Sequence, residues 1–249
     1  MNFARRFKEK NKKGFLITII QIFLIICIIV SLSYIIKWFK ENNKSKNIKM
    51  RIDKAISVDT TNNYQIDFNM LEETNSDVVA WLIVKNTNIN YPIVKTNNND
   101  YYLNHSFDKI VNSAGWIFAD YKNKFNSTDK NIVIYGHNRK DQSMFGSLNR
   151  VLKKDWYEKE ENHTIDLITK DGELKYKVFS VYQIENEEYY IKTSFSNNED
   201  FKQFIKTIKS RSIYNFNTEV DENSQILTLS TCGASSKSRV VLHAKLIED

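Results

Sequence analysis

A run of 22 residues without a charged side chain, Phe15 to Ile36, limits this chain more than any other feature of its sequence. A helix rises about 1.5 Å per residue, so the run is long enough to cross a hydrocarbon core of roughly 30 Å. A cleaved signal peptide has a shorter apolar region of about 7 to 15 residues and a small-residue cleavage site. Residues 37–40, Lys-Trp-Phe-Lys, are typical of a membrane-interface anchor. The alternative is a buried core helix. We predict one uncleaved transmembrane segment at residues 15–36, in contact with membrane lipid.

Basic residues flank this segment on both sides and set an expectation for its orientation. Residues 1–51 carry twelve Lys or Arg against Glu9 and Glu41. The basic residues of the first 14 positions are the more densely spaced, so the positive-inside rule favours a cytoplasmic N-terminus and an extracytoplasmic domain by a small margin. The domain organisation that follows is a cytoplasmic tail at 1–14, a stalk or linker that is partly helical at 37–66, and a catalytic domain at 67–249.

The basic charge of the chain lies in its N-terminal part. Beyond residue 51 the balance is 24 basic against 28 acidic side chains. A protein that reads a phosphate backbone needs its basic patch on the folded domain, so this distribution argues against nucleic-acid binding. The sequence also holds no C-x-x-C motif, no H-E-x-x-H motif and no clustered His/Asp set, so we expect no metal and no other cofactor.

After the stalk, the hydrophobic pattern predicts a mainly β domain. A short helix is expected at 67–74, and short apolar runs predict strands at 78–84, 89–94, 115–119, 131–135, 164–169, 174–182, 225–231 and 239–247. Asp171-Gly172 between two alternating runs predicts a hairpin. Residues 198–211 place Phe201, Phe204, Ile205 and Ile208 on one helical stripe, with Asn197 or Asn198 as the cap. Many short strands with one inserted helix favour a closed or nearly closed β-barrel.

Cys232 is the candidate nucleophile. It ends the apolar run 225–232 and is followed by Gly233, and the second cysteine of the chain, Cys27, lies in the apolar segment. If that segment crosses a membrane, Cys232 remains an unpaired thiol, which becomes a nucleophile once a histidine lies beside it. A buried structural thiol is the alternative interpretation.

His137 is the histidine with the most suitable position. It follows the apolar strand 131–135, and Gly136 is expected to turn the chain sharply there, so that His137 stands at a strand end as Cys232 does. His105 is expected at the surface, His163 in solvent and His243 as a structural residue of a strand. Arg239 opens the last strand, and a turn between the last two strands would bring it back towards Cys232.

These residues together resemble the sortases, membrane-anchored cysteine transpeptidases of Gram-positive bacteria. Thr228 to Cys232 matches the TLxTC motif of the family, Arg239-Val240-Val241 matches its arginine strand, and Tyr135 to Asn138 matches its histidine motif. Similarity to class B extends from about residue 77 to 246 and includes Ser230, Met144-Phe145, residues 90–94, residues 101–103 and the helix at 198–211. One departure is Gly233-Ala234, where some class B members carry an acidic or bulky residue.

The resemblance implies a fold, a reaction and a set of site residues. The fold is a closed β-barrel of about eight strands with N-terminal helices and one helix between late strands. The reaction cleaves a C-terminal sorting signal of a secreted protein after Thr and transfers the acyl group to a peptidoglycan precursor amine. Cys232 would be the nucleophile, His137 the acid and Arg239 the donor to the oxyanion or the substrate backbone. Residues implied in substrate binding are Ser230, Thr231, Asn138, Asn99, Leu103, Tyr190 and Ile191.

Two other functions are compatible with parts of the pattern. A membrane-anchored cysteine peptidase acting on cell-wall peptides would also use a cysteine and a histidine. Such enzymes, like papain, place the nucleophile at a helix N-terminus with the histidine downstream, whereas His137 precedes Cys232 here. A non-catalytic anchored binding module is the second alternative, and it would tolerate loss of Cys232.

Overall fold

The computed structural model describes residues 3–60, 64–185, 187–232 and 238–247. The chain divides into two compact units, one ending at Lys46 and one beginning at Asn47. Helix α1 begins at Phe3 and ends at Ile52, so its last turns belong to the second unit. The side chains of residues 233–237 and of Cys232 are outside the described part, as is the departure at Gly233-Ala234.

In the first unit, helix α1 is both long enough and apolar enough to cross a membrane. The mean hydropathy of its most apolar 18-residue window is 3.0, and no residue of that window is buried within the protein. A continuous helix satisfies its own backbone hydrogen bonds, which is the requirement for a segment that has no water around it. Length and composition therefore agree with the predicted membrane segment.

The stretch that follows α1 is more ordered than a linker. Strands β1 (Ile56–Val58) and β2 (Tyr64–Ile66) pair antiparallel as a small separate sheet. Helix α2 (Phe68–Thr74) comes next, capped by Asp67, whose carboxylate accepts a hydrogen bond from the Met70 amide at 2.9 Å. A side chain at the N-cap satisfies one of the amides that the first turn leaves without a partner.

Eight strands then form a closed barrel, which confirms the predicted fold class. In space their order is β10-β8-β7-β3-β4-β5-β6-β9. The pairs β4–β5 and β6–β9 are parallel and the others antiparallel. The strands are β3 (Val78–Val84), β4 (Asn90–Val94), β5 (Phe118–Ala119), β6 (Asn131–His137), β7 (Thr164–Thr169), β8 (Gly172–Glu185), β9 (Ile226–Cys232) and β10 (Ser238–Ile247).

The predicted hairpin joins β7 and β8. Thr169 pairs with Gly172, so Lys170 and Asp171 are the two loop residues and Gly172 opens β8. The φ of Gly172 is 143°, a conformation that residues with a side chain rarely adopt. Glycine therefore sets where the tight turn ends and which residues of the two strands face each other.

Alternation along the strands gives the barrel two apolar faces. Leu227, Leu229 and Leu242 belong to the central core, together with large side chains such as Trp81. Ile226 and Val241 belong to a second cluster on the outer face. Helix α4 (Asn198–Ser210) covers that cluster. The short helix α3 (Lys154–Tyr157) precedes α4 in the chain.

Helix α4 carries the predicted apolar stripe. Phe201, Phe204, Ile205 and Ile208 are all buried. Asn197 is the cap, because its side chain accepts a hydrogen bond from the Asp200 amide at 2.9 Å. The helix thereby fixes the segment before it, residues 189–191, against the outer face of β9.

Candidate active site

The ends of two neighbouring parallel strands bring Cys232 and His137 together. Strands β6 and β9 pair from Asn131 and Ile226 at one end to His137 and Cys232 at the other. Neighbouring strands lie about 4.8 Å apart, so these two backbones are direct neighbours. The predicted nucleophile and the histidine are far apart in sequence, and their backbones are paired at the same end of the barrel.

Strand β10 brings Arg239 to the same end. It pairs antiparallel with β9, with Val241 opposite Ser230. The same register continued by two residues aligns Arg239 with Cys232. Between these positions the Val240 amide donates a hydrogen bond of 2.8 Å to Thr231 Oγ1, which holds the two strands together beyond their last backbone pair. Arg239 is half-buried.

His137 lies at a strand end for a different reason than expected. Strand β6 continues through Gly136 to His137, because β9 pairs with it over its full length. The prediction that Gly136 turns the chain is therefore wrong. A Cβ at Gly136 would lie 2.7 Å from the Phe145 ring, so the absence of a side chain allows that buried ring to pack against the strand.

The ring of His137 is held by a backbone group. Its Nε2 lies 2.6 Å from the carbonyl oxygen of Leu103, and the ring is half-buried. Leu103 was expected at the site as a side chain, but its described contribution to the histidine is its carbonyl. No property of a leucine side chain predicts such a contact.

Ser230 and Tyr190 lie together on the outer face of β9. The hydroxyl of Tyr190 is 2.9 Å from Ser230 Oγ, and both residues are buried. Ile191 follows Tyr190 and is half-buried. These residues form the wall beside the ends of β6 and β9.

Thr231 is not on that wall. Because side chains alternate along a strand, Thr231 belongs to the opposite face from Ser230. It is buried, and its hydroxyl accepts the hydrogen bond from the Val240 amide. The described contacts of Thr231 therefore join β9 to β10.

Asn99 and Asn138 use their side chains within the protein. Asn99 donates from Nδ2 to Asp120 Oδ2 at 2.9 Å and accepts from the Tyr121 amide at 3.0 Å. Asn138 accepts from Asn149 Nδ2 at 2.8 Å, which shapes the loop after β6. Both lie near the site, Asn138 directly after His137.

Tyr135 was named only as part of the histidine motif, and Asp120 was not named from the sequence. Tyr135 pairs with Ser230 across β6 and β9, and its hydroxyl donates to Asp120 Oδ2 at 2.9 Å, the same oxygen that Asn99 contacts. The strand period of two places Tyr135 on the face of His137, a signal that was available in the sequence. Asp120 had no such signal because it lies in a loop.

The other histidines have structural positions. His243 is fully buried, with Nδ1 2.8 Å from Thr228 Oγ1 and Nε2 2.9 Å from the Tyr182 hydroxyl, and burial lowers its pKa to about 3. The prediction that His163 is solvated is wrong, because its ring packs against Trp156 and Phe216 and is buried. His105 stacks on Tyr101 and is half-buried. Among the residues described, no group of three or more His, Cys, Asp or Glu is arranged to hold a metal ion.

Comparison with known proteins identifies the family. The sortase domain model matches residues 82–247. Sortase B of Listeria monocytogenes is 38% identical over 180 residues, 71% of this chain and 72% of that protein. Sortase B of Staphylococcus aureus is 31% identical over 238 residues, 93% of this chain and 97% of that protein. The crystal structure of sortase B from B. anthracis superposes with a TM-score of 0.74 at 32% identity, covering 85% of this chain and 100% of that one.

The family match covers both strand ends of the candidate site, and the relatives agree with each other in class. The sequence motifs, the eight-stranded barrel and these relatives lead to one conclusion. The chain belongs to the sortase family of cysteine transpeptidases, and within that family it is a class B sortase.

Proposed function

We propose that this sortase cleaves a C-terminal sorting signal of secreted proteins after Thr and transfers the acyl group to an amine of a peptidoglycan precursor. The observation that carries the proposal is the pairing of His137 with Cys232 at the ends of β6 and β9. Arg239 on β10, aligned with Cys232 by the continued register, supports it. The substrates are therefore a peptide that binds beside these strand ends and an amine that enters after the first product leaves.

In the first step, the Cys232 thiolate attacks the carbonyl carbon of the substrate Thr. Thiolate is the reactive form of cysteine. The carbonyl oxygen gains negative charge, and Arg239 donates hydrogen bonds to it or to the neighbouring peptide backbone. The C–N bond then breaks, and His137 gives its proton to the leaving nitrogen. The products of this step are a thioester on Cys232 and a free amine.

In the second step, the acceptor amine attacks the thioester carbonyl. The nitrogen loses a proton, which returns to His137, and the Cys232 thiolate leaves. The new bond is an amide, so the transfer needs neither an oxidant nor a cofactor. Water in place of the amine gives the carboxylic acid as a slower hydrolysis.

The wall of the site suits a peptide. The Ser230 and Tyr190 hydroxyls are hydrogen-bonded to each other on one face of β9, and Tyr135 lies opposite Ser230 on β6. We propose that these groups, with Leu103, Ile191, Asn99 and Asn138 at the periphery, contact the sorting peptide. Thr231 supports the wall from the opposite face through its bond to β10.

We also propose that helix α1 anchors the enzyme with its N-terminus in the cytoplasm and its catalytic domain outside the cell. The supporting observations are the apolar window of the helix and the denser basic charge before it. In this arrangement Cys27 lies in lipid and Cys232 is the thiol available to substrate.

The test uses the full-length chain in detergent micelles. A fluorogenic peptide library that keeps Thr at one position is mixed with the enzyme and hydroxylamine as the amine. We expect a hydroxamate at the carboxyl of Thr, and an adduct on the protein when hydroxylamine is left out. Cys27→Ser, the matched control, keeps the activity, and Cys232→Ala loses both product and adduct.

Each alternative function predicts another result. A cysteine peptidase releases the carboxylic acid rapidly without any amine, so no thioester adduct accumulates when hydroxylamine is left out. A binding module retains peptide equally well in the wild type and in Cys232→Ala, without any product. Absence of cleavage by the wild type across the whole library would reject the proposed transpeptidation.

A further inference from the structure

The loop between β4 and β5 touches the His137 ring from the side of Nε2. The Nε2 atom lies 2.6 Å from the Leu103 carbonyl oxygen. A carbonyl oxygen only accepts hydrogen bonds, so Nε2 must be the donor and carry a hydrogen. In a neutral imidazole one nitrogen donates and the other accepts. This contact therefore favours the tautomer with the hydrogen on Nε2.

Gly115 faces the neighbouring atom of the same ring. An added Cβ at Gly115 would lie 2.8 Å from His137 Cδ2, 2.6 Å from the Tyr102 carbonyl oxygen and 2.9 Å from the Leu103 carbonyl oxygen. All three distances are shorter than the contacts that Cβ atoms make with other heavy atoms in proteins. Two of the three atoms are backbone oxygens, which cannot rotate away as a side chain could. The φ of Gly115 is 59°, which also favours glycine.

Buried anchors hold these carbonyl groups in place. The Trp116 amide donates to the Tyr102 carbonyl at 2.9 Å, and the Trp116 indole donates to the Pro92 carbonyl at 3.0 Å. The buried Tyr102 hydroxyl donates to Asp77 Oδ2 at 2.7 Å. Burial raises the pKa of this hydroxyl, so it remains protonated and keeps donating. The loop is thus a fixed surface against which the imidazole rests.

We propose that Gly115 and the Leu103 carbonyl are positioning groups that assign the two nitrogens of His137 to different tasks. The carbonyl keeps a hydrogen on Nε2 throughout the reaction, and Gly115 allows the loop to approach the ring closely enough for this bond. Nδ1 is then the nitrogen that gives its proton to the leaving amine and regains it from the acceptor amine. The inference rests on the proposed function, in which His137 is the acid.

The first test reads the tautomer of His137 in the wild-type protein. The full-length chain, labelled with ¹⁵N-histidine in detergent micelles, is measured by NMR, and His137 is assigned by difference from His137→Gln. In the neutral ring we expect a hydrogen on Nε2 and none on Nδ1. A neutral His137 with its hydrogen on Nδ1 would overturn the proposal. This result does not depend on turnover, so it separates failure of the inference from failure of the proposed function.

The second test compares two glycines with positive φ. In Gly115→Ala the methyl group displaces the loop or the ring, and misplacing a catalytic group by about 1 Å costs on the order of 10²-fold in rate. We expect kcat to fall by about that factor, with KM within about twofold of the wild type and loss of the single tautomer. The control, Gly172→Ala, has a φ of 143° and no atom within 4 Å of the added carbon, so it tests backbone strain alone.

Gly172→Ala is expected to keep both kcat and the His137 spectrum. Gly115→Ala with unchanged kcat and an unchanged spectrum would refute the positioning role. Near-ultraviolet circular dichroism and the Tm show whether each variant folds. The wild-type spectrum decides the nitrogen assignment even where Gly115→Ala does not fold.

Discussion

The backbone of His137 is paired with that of Cys232, and each is the last residue of its strand. The parallel direction of β6 and β9 is what brings the two ends together, because antiparallel strands of this length would place the end of one beside the start of the other. A shift of one residue would also move the side chains to opposite faces. The pairing of the seven residues in each strand therefore positions the candidate catalytic pair.

The roles of this pair can be tested by substitution of each member. In Cys232→Ala we expect no thioester and no transfer. In His137→Gln the thiol remains but the acid is lost, and general acid–base catalysis contributes roughly 10²- to 10⁴-fold. Peptide cleavage and the mass of the trapped adduct measure the two effects. His105→Gln, a change at a half-buried loop histidine, is the control and keeps the wild-type rate.

Arg239 is expected to need its guanidinium and not only its charge. Arg239→Lys keeps a cation but has no planar fork of donors, and loss of an oxyanion donor costs about 10²- to 10³-fold in kcat. The exposed Arg150→Lys is the matched control and stays within about twofold of the wild type. Turnover of Arg239→Lys close to that of Arg150→Lys would remove Arg239 from the mechanism.

The hydroxyl pair of Tyr190 and Ser230 should behave as one unit. Tyr190→Phe and Ser230→Ala each break the same 2.9 Å contact, and a buried hydrogen bond contributes about 1 kcal/mol to stability. We therefore expect the double variant to be no more than slightly less stable than either single variant. Urea unfolding of all four proteins measures the coupling, and strictly additive losses would show that the two groups act independently.

The buried His243 makes stability depend on pH. Its pKa is lowered by burial to about 3, against 6.5 for an unhindered histidine, so between these values the unfolded chain binds a proton that the folded chain does not. The contribution of neutral His243 to the free energy of unfolding is fully present above about pH 6.5. It falls by roughly 1.4 kcal/mol per pH unit as the pH decreases towards 3. The free energy of unfolding is measured from pH 7 to 4.

The matched variant for this measurement is His243→Gln, which keeps polar groups near Thr228 and Tyr182 but does not titrate. We expect it to be less stable at pH 7, since it fits the two partners less well. Its loss of stability with falling pH should be smaller than that of the wild type by the contribution of one proton. Parallel pH curves for the two proteins would mean that His243 takes up its proton in the folded state.

The proposed orientation in the membrane can be measured with the two cysteines. In intact cells, a membrane-impermeant maleimide should label Cys232 in Cys27→Ser and should not label Cys27 in Cys232→Ser. The physical reason is that Cys27 lies in the apolar window of α1, while Cys232 is in the catalytic domain. Labelling of Cys232 only after the cells are opened would indicate the opposite orientation.

Local sequence determined most of the secondary structure of this protein. The short apolar runs became strands at 78–84 and 164–169, and the period-3.6 stripe of Phe201 to Ile208 became α4. Short-range patterns predict such elements because the spacing of apolar residues follows from which residues of a strand or helix are buried. The stalk was less predictable, since β1 and β2 are three residues each and β1 shows no buried side.

The sequence also indicated the family, through the motifs around the candidate residues Cys232, His137 and Arg239. Tertiary structure alone decided how these residues meet. Thr228 and Asn131 are 97 positions apart in sequence, yet Thr228 Oγ1 lies 2.7 Å from Asn131 Oδ1 because β6 and β9 pair in parallel. No local sequence pattern predicts which strands will be neighbours.

The same reason explains what the sequence missed around the ring of His137. The Leu103 carbonyl is a backbone group that every residue has, and the room beside Gly115 exists only because two loop segments approach each other. Thr231 and Ser230 are adjacent in one motif but lie on opposite faces of β9. Residue types determined which reaction this chain can perform, and long-range backbone contacts decided which of its atoms face each other to perform it.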